Sequence, residues 1–385
     1  MIHYDTRKIK AKDTFLAIGK GSDYIDSKLI FTTSKIIKLK KEEVYKYLLN
    51  LWGIDIGKIK IIGVTGTNGK TTTTYLVQQI LEEYGQKCQI LGTINCNLTT
   101  PEIFDILALA RKMIEKNEKY LIMEVSSIGV VEKRIAGLPF AVKCLTNITR
   151  DHLDYHKDFK SYVQSKFGFL KLPGPTIYPK DYKKIKIDFP TLLQGKFNQD
   201  NMKAAYAITK ILKVPEKVIK KALAKAQPPK GRFEPVSSNA PFQVIVDYAH
   251  TPDGLLNILK TARALTKDKL IVVFGAGGNR DKTKRPLMGK AVEDYADTMI
   301  VTTDNPRHED PKIIIKEILT GIKHKKAVVI EDREKAIQTA VSMAEKNDII
   351  IIAGKGHENY QIIGDKKIHF DDFEIAEKYL KAAYP

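Results

Sequence analysis

Thiols are scarce: Cys88, Cys96 and Cys144 are the only cysteines in 385 residues, and no two form a CxxC pair. An odd, scattered set builds neither a disulfide framework nor a zinc cluster. It suits reduced, small apolar side chains in a cytoplasm. No apolar run approaches the roughly 20 residues of a membrane-spanning helix, and the start, MIHYDTRKIKAKD, lacks the apolar core of a secretion signal. The expectation is a soluble, cytoplasmic protein with no membrane insertion. Acidic residues are the minority, with 45 Asp and Glu against 64 Lys and Arg, a net charge of +19. The lysines are spread along the whole chain with no block of five or more, and stretches such as PEKVIKKALAKA read as solvated helix faces. The excess charge therefore goes to a Lys-rich surface rather than to a nucleic-acid partner. Polyanion binding stays the alternative, and a nucleotide substrate would use the charge locally.

What is present is an ordinary globular composition, 43% hydrophobic, in a chain longer than a single core usually supports. The first 50 or so residues are mixed and Lys-rich, with one short apolar strand, TFLAI. From Ile59 onward, apolar strands alternate with amphipathic helices, the pattern of parallel sheets covered on both faces. KIKIIGVTG leads into the helix KTTTTYLVQQILEEYG, which Gly85 would cap. The segment QPPKG (227–231) breaks the pattern and reads as a linker, after which the alternation restarts and runs to DIIIIAG.

The stretch IIGVTGTNGKTTTT (61–74) has the strand, Gly-rich turn and helix start of a phosphate-binding loop, with one irregularity. The general pattern places a glycine five positions before the Gly of Gly-Lys-Thr, and that position is Val64. Backbone N–H groups at a helix start would hold phosphate, Lys70 would reach the terminal phosphates, and Thr71 or Thr72 would ligate Mg²⁺. Glu124 ends a buried strand, MEVSS, where a carboxylate is costly unless it is capped or binds a cation. Both options stand on the residues alone. His152 and His156 are four apart, but Leu153 occupies the place where a zinc-protease motif needs Glu.

GTNGKTTT is how this loop is spelled in the Mur ligases, ATP-dependent enzymes that build the peptide of bacterial cell-wall precursors. The likeness runs the length of the chain. DTRKIKAKDTFLAI, MEVSS, TNITRDHLDYH, GKFNQDN, GRFE, DYAHTPDGL, FGAGGNRDKTKRPLMG, TTDNPRHEDP and GKGHENYQ all resemble family motifs, in family order. Together they point to the MurE-type branch. The resemblance implies three domains: a small α/β substrate domain (1–52), a central P-loop-type, mostly parallel ATPase domain (53–227) and a C-terminal, doubly wound, Rossmann-like domain (228–385). It implies an amide ligase that adds meso-diaminopimelate to UDP-N-acetylmuramoyl-L-alanyl-D-glutamate through an acyl phosphate. ATP would be co-substrate, two Mg²⁺ ions would assist, and the protein would be a monomer. A lysine-adding or folylpolyglutamate-type sibling is the near alternative.

Carried over residue by residue, the resemblance implies that Gly66, Thr67, Asn68, Gly69, Lys70, Thr71, Thr72, Asn198, Arg232 and Asp247 bind nucleotide. Thr71, Glu124, His152 and Lys166 would hold metal, Lys166 after carbamylation by CO₂ turns its cation into an anion. Lys70, Glu124, His152, Lys166 and Arg232 form the expected catalytic set. Thr6, Arg7, Thr99, Thr100, Ser126 and Arg134 would bind the UDP-linked substrate. Arg285, Asp304, Asn305, Arg307, Gly354 and Glu358 would bind the amino acid, with the planar fork of Arg307 suited to a distal carboxylate. Departures are Ile128, Ala276 and Asn279, where the family usually has His, Cys and Asp. The N-terminal part is also abbreviated, and the segment between Lys166 and Gly195 is short.

Overall fold

The structure is a computed structural model. It describes residues 41–385, with side chains from residue 43, and before them the backbone of three strands. Those strands, β1 (Ile2–His3), β2 (Asp13–Ile18) and β3 (Thr33–Leu39), form a parallel sheet in the order β1-β2-β3. The apolar TFLAI stretch lies in β2, while β3, TSKIIKL, has a polar start and little apolar signal. Thr6 and Arg7 lie outside the described residues.

The second sheet has five parallel strands in the order β5-β6-β4-β7-β8, with β4 (Lys60–Thr65), β5 (Cys88–Leu91), β6 (Tyr120–Glu124), β7 (Phe140–Leu145) and β8 (Thr176–Ile177). Its central strand β4 is buried from Ile61 to Thr65 because helices cover both faces. Val64, the residue that broke the phosphate-loop pattern, is a core side chain of β4. The helix Lys70–Glu83 follows, and Gly85 ends it at φ 74°, with the Gly85 and Gln86 N–H groups donating to the carbonyls of Glu82 and Leu81. The short stretch after Lys166 supplies the two-residue edge strand β8 and one short helix, Pro179–Tyr182.

The third sheet has six strands in the order β13-β12-β11-β14-β10-β9: β9 (Glu234–Val236), β10 (Gln243–Asp247), β11 (Leu270–Phe274), β12 (Thr298–Val301), β13 (Val328–Val329) and β14 (Ile349–Ala353). All pairings are parallel except β9 with β10. Strand β14 sits between β10 and β11 with Ile349 and Ile351 in the core on one side of the sheet and Ile350 and Ile352 in the core on the other, which is why DIIIIAG shows no alternation. A separate hairpin, β15 (Tyr360–Ile363) and β16 (Lys366–His369), follows β14 and was not evident in the sequence. The carboxyl ends of the second and third sheets face each other, which is where open α/β sheets bind ligands.

Candidate active site

Between those ends lies a cavity of about 1340 Å³. That exceeds the roughly 300–1,000 Å³ of a single small-molecule site, so several reactants fit at once. Residues of the Gly-rich loop, the Glu124 and His152 segments, and the Asp304 and Gly354 segments all line it.

The loop 66–69 turns sharply from β4 into the helix beginning at Lys70. Gly66 has φ 151°, and a Cβ there would lie 1.8 Å from Thr146 Oγ1. Asn68 N–H donates to Asn147 Oδ1 (2.9 Å). Among the described residues no side chain caps the helix, whose N-cap is Gly69 at φ 83°. Its first N–H groups and dipole therefore favour an anion. Lys70 Nζ folds back onto the carbonyls of Gly66 and Thr67, 2.9 Å from each. Burial lowers its pKa, and Glu124 and Asp151 pull the other way.

Glu124, 1% exposed at the end of β6, is held by three donors. Thr71 Oγ1 (2.9 Å) and Thr93 N–H (2.9 Å) donate to Oε1, and Thr93 Oγ1 (3.1 Å) donates to Oε2. Arg232, from the C-terminal side, donates through Nη2 to Thr71 Oγ1 (3.0 Å) and stacks 4.3 Å over the Tyr248 ring. Its Nε is buried with no partner among the described residues. A buried, unpaired guanidinium N–H is costly and is answered by an anion. Further bonds tie the two halves: Asn68 Nδ2 to Asp253 Oδ2 (2.7 Å) and Arg150 Nη2 to Thr283 Oγ1 (2.8 Å).

Lys166, 1% exposed on the helix Phe159–Leu170, donates to Gly66 O (2.8 Å), and its Nζ lies 4.6 Å over the Tyr162 ring. Burial first, and then Lys70, push its pKa well below the ordinary lysine value, so an uncharged amine is accessible. His152 sits in the left-handed region at φ 54° and lines the cavity, its ring 3.4 Å from Asp151. His156 instead bonds Ser127 Oγ (2.9 Å) and is buried.

Several expected residues are not at the cavity wall. Asn198 is buried with Nδ2 on Gln194 O (2.9 Å), and it is Asn201, against Gly69, that lines the cavity. Thr100 is buried and bonds Ser126 Oγ (3.0 Å) and Glu124 O (3.0 Å), while Thr99, Ser126 and Arg134 line the wall. Asp247, by contrast, does line the cavity; it accepts from the Phe233 and Ala249 N–H groups (2.7 and 2.6 Å), and burial raises its pKa to about 6. Arg285 is fully buried and spent on Glu309 and Glu317, which holds the Glu309 carboxyl down at about 2.

The cation that faces the cavity beside Arg307 is Arg280, in AGGNR. A Cβ on Gly277 would touch Arg307 Nη1 at 3.0 Å and Arg280 Cγ at 3.9 Å, so glycine there leaves room for two arginines. Arg307 Nη1 donates to Gly278 O (2.8 Å) and Asn305 O (3.4 Å), and neither arginine has a carboxylate partner among the described residues. Asn305 Nδ2 donates to Glu358 Oε2 (2.8 Å), and Asp304 Oδ1 accepts the Asn305 N–H (2.6 Å). Gly354, at φ 123°, lies against Asp304. Asp151, His250 and Lys284, which no local pattern singles out, also meet at the cavity. Burial pushes the Asp151 carboxyl up, but His152, His250 and Lys284 outweigh it and hold it at about 2. Burial and Lys284 push His250 down to about 4. Each lies in one of the family-like stretches TNITRDHLDYH, DYAHTPDGL and FGAGGNRDKTKRPLMG, but nothing local marks the three as neighbours, since the stretches are far apart in the chain.

Two family models match the chain, the Mur ligase middle domain over residues 64–181 and the Mur ligase glutamate ligase domain over residues 231–356. A relative from Clostridium botulinum, named UDP-N-acetylmuramoyl-L-alanyl-D-glutamate–2,6-diaminopimelate ligase, is 37% identical over 461 aligned positions, which cover 99% of this chain and 95% of that one. The chain belongs to the Mur ligase family. A solved structure titled with the same activity is 26% identical, covers 99% of this Mur ligase and 94% of its own chain, and superposes with a TM-score of 0.63. MurF from Thermotoga maritima, solved with ADP, shares the fold at 18% identity and a TM-score of 0.67. The alignment to the clostridial relative spans 461 positions against 385 residues here, so at least 76 of them are gaps in this Mur ligase.

Proposed function

We propose that this Mur ligase is a MurE-type enzyme that joins meso-diaminopimelate to UDP-N-acetylmuramoyl-L-alanyl-D-glutamate at the expense of ATP, in the cytoplasm. The observation that carries this is one cavity that holds a phosphate loop with the orphaned Arg232 Nε at one end and the Arg280–Arg307 pair at the other. In this reading residues 1–52, 53–227 and 228–385 are the substrate, ATPase and amino-acid domains.

The γ-phosphoryl group of ATP passes to the D-glutamate carboxylate, giving an acyl phosphate and ADP. The diaminopimelate amine then attacks the acyl carbon and phosphate leaves. The chain's part is positioning and charge stabilisation. The loop N–H groups and Lys70 hold the phosphates, and Arg232 stabilises the charge that develops on them. Among the described residues no group of three or more His, Cys, Asp or Glu could hold a metal unaided. Thr71 and Glu124 offer a hydroxyl and one carboxylate, the donor set of a Mg²⁺ ion completed by phosphate oxygens. His152 and a carbamate on Lys166 would serve a second ion. Bound Mg²⁺ would neutralise phosphate charge. The neutral Lys166 amine can add to CO₂ with loss of one proton, leaving an N-carboxylate. Thr99, Ser126 and Arg134 would line the path of the UDP-linked peptide.

Arg280 joins Arg307 as the match for the distal carboxylate, while Glu358 and Asp304 face its neighbouring amine. Phosphate release with the UDP-linked dipeptide across a panel of amino acids tests the proposal. Release that depends on meso-diaminopimelate supports it, and release indifferent to the amino acid overturns it.

A further inference from the structure

The hairpin β15–β16 is pinned to the segment that carries Arg307. Arg307 N–H donates to Ile362 O (3.0 Å) and Gly364 N–H to Arg307 O (2.7 Å), while Ile362 N–H donates to Asn305 Oδ1 (2.9 Å) and Gln361 Nε2 to Asp304 O (2.6 Å). In the hairpin register Lys367 stands opposite Ile362, so Lys367 and Tyr360 are diagonal neighbours on one face. Both line the cavity, and Lys367 Nζ lies 3.8 Å from the centre of the Tyr360 ring. Burial and then Glu358, with Asp304, push the Tyr360 hydroxyl pKa up, and Arg307 and Arg280 pull the other way, so all four charged groups lie near its ring. Lys367 is exposed and has no carboxylate partner among the described residues. An aromatic face is a weak anchor for an exposed ammonium, so a carboxylate arriving beside Tyr360 can take it over.

We infer that Lys367 is a specificity-determining residue, a third cation that the hairpin adds to Arg280 and Arg307 around the side-chain carboxylate of the incoming amino acid. The inference rests on the proposed ligase reading. Its chemistry acts in both directions. Three cations favour an amino acid whose far end bears a carboxylate, and they repel one whose far end is an ammonium alone. Because Lys367 is exposed and its pinning contacts belong to other residues, its substitution leaves the hairpin in place.

The test is amino-acid-dependent phosphate release by Lys367→Ala, Lys367→Glu and Lys367→Arg, with meso-diaminopimelate and with L-lysine. Lys367→Ala should raise KM for diaminopimelate about threefold to tenfold, as expected for a partly solvated charge contact, with the change falling on KM rather than kcat. KM for ATP should stay within about twofold, since no hydrogen bond or ion pair among the described residues links Lys367 to the phosphate loop and its contact is the Tyr360 ring. Lys367→Arg should restore most of the loss, and Lys367→Glu should raise KM for diaminopimelate further while lowering it for L-lysine. Equal changes for both amino acids, or none with diaminopimelate, overturn the inference. Wild-type protein that uses neither amino acid would instead sink the ligase reading itself.

Discussion

Arg307→Ala is the most informative substitution in the proposed amino-acid site. The backbone of residue 307 is in the left-handed region at φ 53°, where alanine is strained about as much as arginine. Its N–H and C=O hold the hairpin, and these bonds survive the loss of the side chain. The folded-state loss is the Nη1 donor to the carbonyls of Gly278 and Asn305, about 1 kcal/mol of stability. The functional loss is larger. A charge-assisted, bidentate contact to a carboxylate contributes about 1.5–3 kcal/mol, or roughly tenfold to hundredfold in affinity. Arg280 remains nearby and should keep the effect toward the lower end. The assay is phosphate release at varied diaminopimelate, lysine and ATP, with a thermal melt as the folding control. KM for diaminopimelate should rise by that factor, KM for ATP should hold, and discrimination against lysine should shrink. A variant that keeps full preference for diaminopimelate would refute Arg307 as the selector.

Lys70→Ala should lower phosphate release by at least about a hundredfold, as loss of a phosphate-binding cation at the reacting group requires, while near-normal release would dismiss the phosphate loop. Lys166→Ala should be nearly inactive and partly rescued by acetate or formate standing in for a carbamate; full activity without rescue would return Lys166 to a structural role. Acidification should destabilise the fold around His250, which is buried beside Lys284. His250 has a folded pKa depressed to about 4 from 6.5, so the stability it contributes is present above pH 6.5 and is lost as pH falls from there toward 4. The melting temperature should therefore fall over that window, and His250→Gln should flatten the fall; a profile identical in both proteins would contradict the assignment.

The strand–turn–helix of residues 59–85, the alternation that makes parallel sheets, and the all-buried β14 were legible because periodicity and turn chemistry are local. Gly66, Lys70 and Glu124 were legible for a similar reason: a Gly-rich turn or a carboxylate ending an apolar strand has few inexpensive explanations. The family likeness supplied Lys166, whose burial no local pattern betrays; only packing of the helix Phe159–Leu170 against the loop makes it a desolvated amine. Arg280 and Arg285 look alike in NRDKTKR, and tertiary structure alone separates them. Arg285 turns inward to Glu309 and Glu317, residues distant in sequence, while Arg280 stays at the cavity beside Arg307. The same holds for Asp151, His250 and Lys284, and for Lys367 over Tyr360. Sequence determines which side chains can carry charge and where the chain must turn. Which charges remain unpaired, and therefore available to a substrate, depends on long-range contacts that exist only once both sheets have brought their carboxyl ends together.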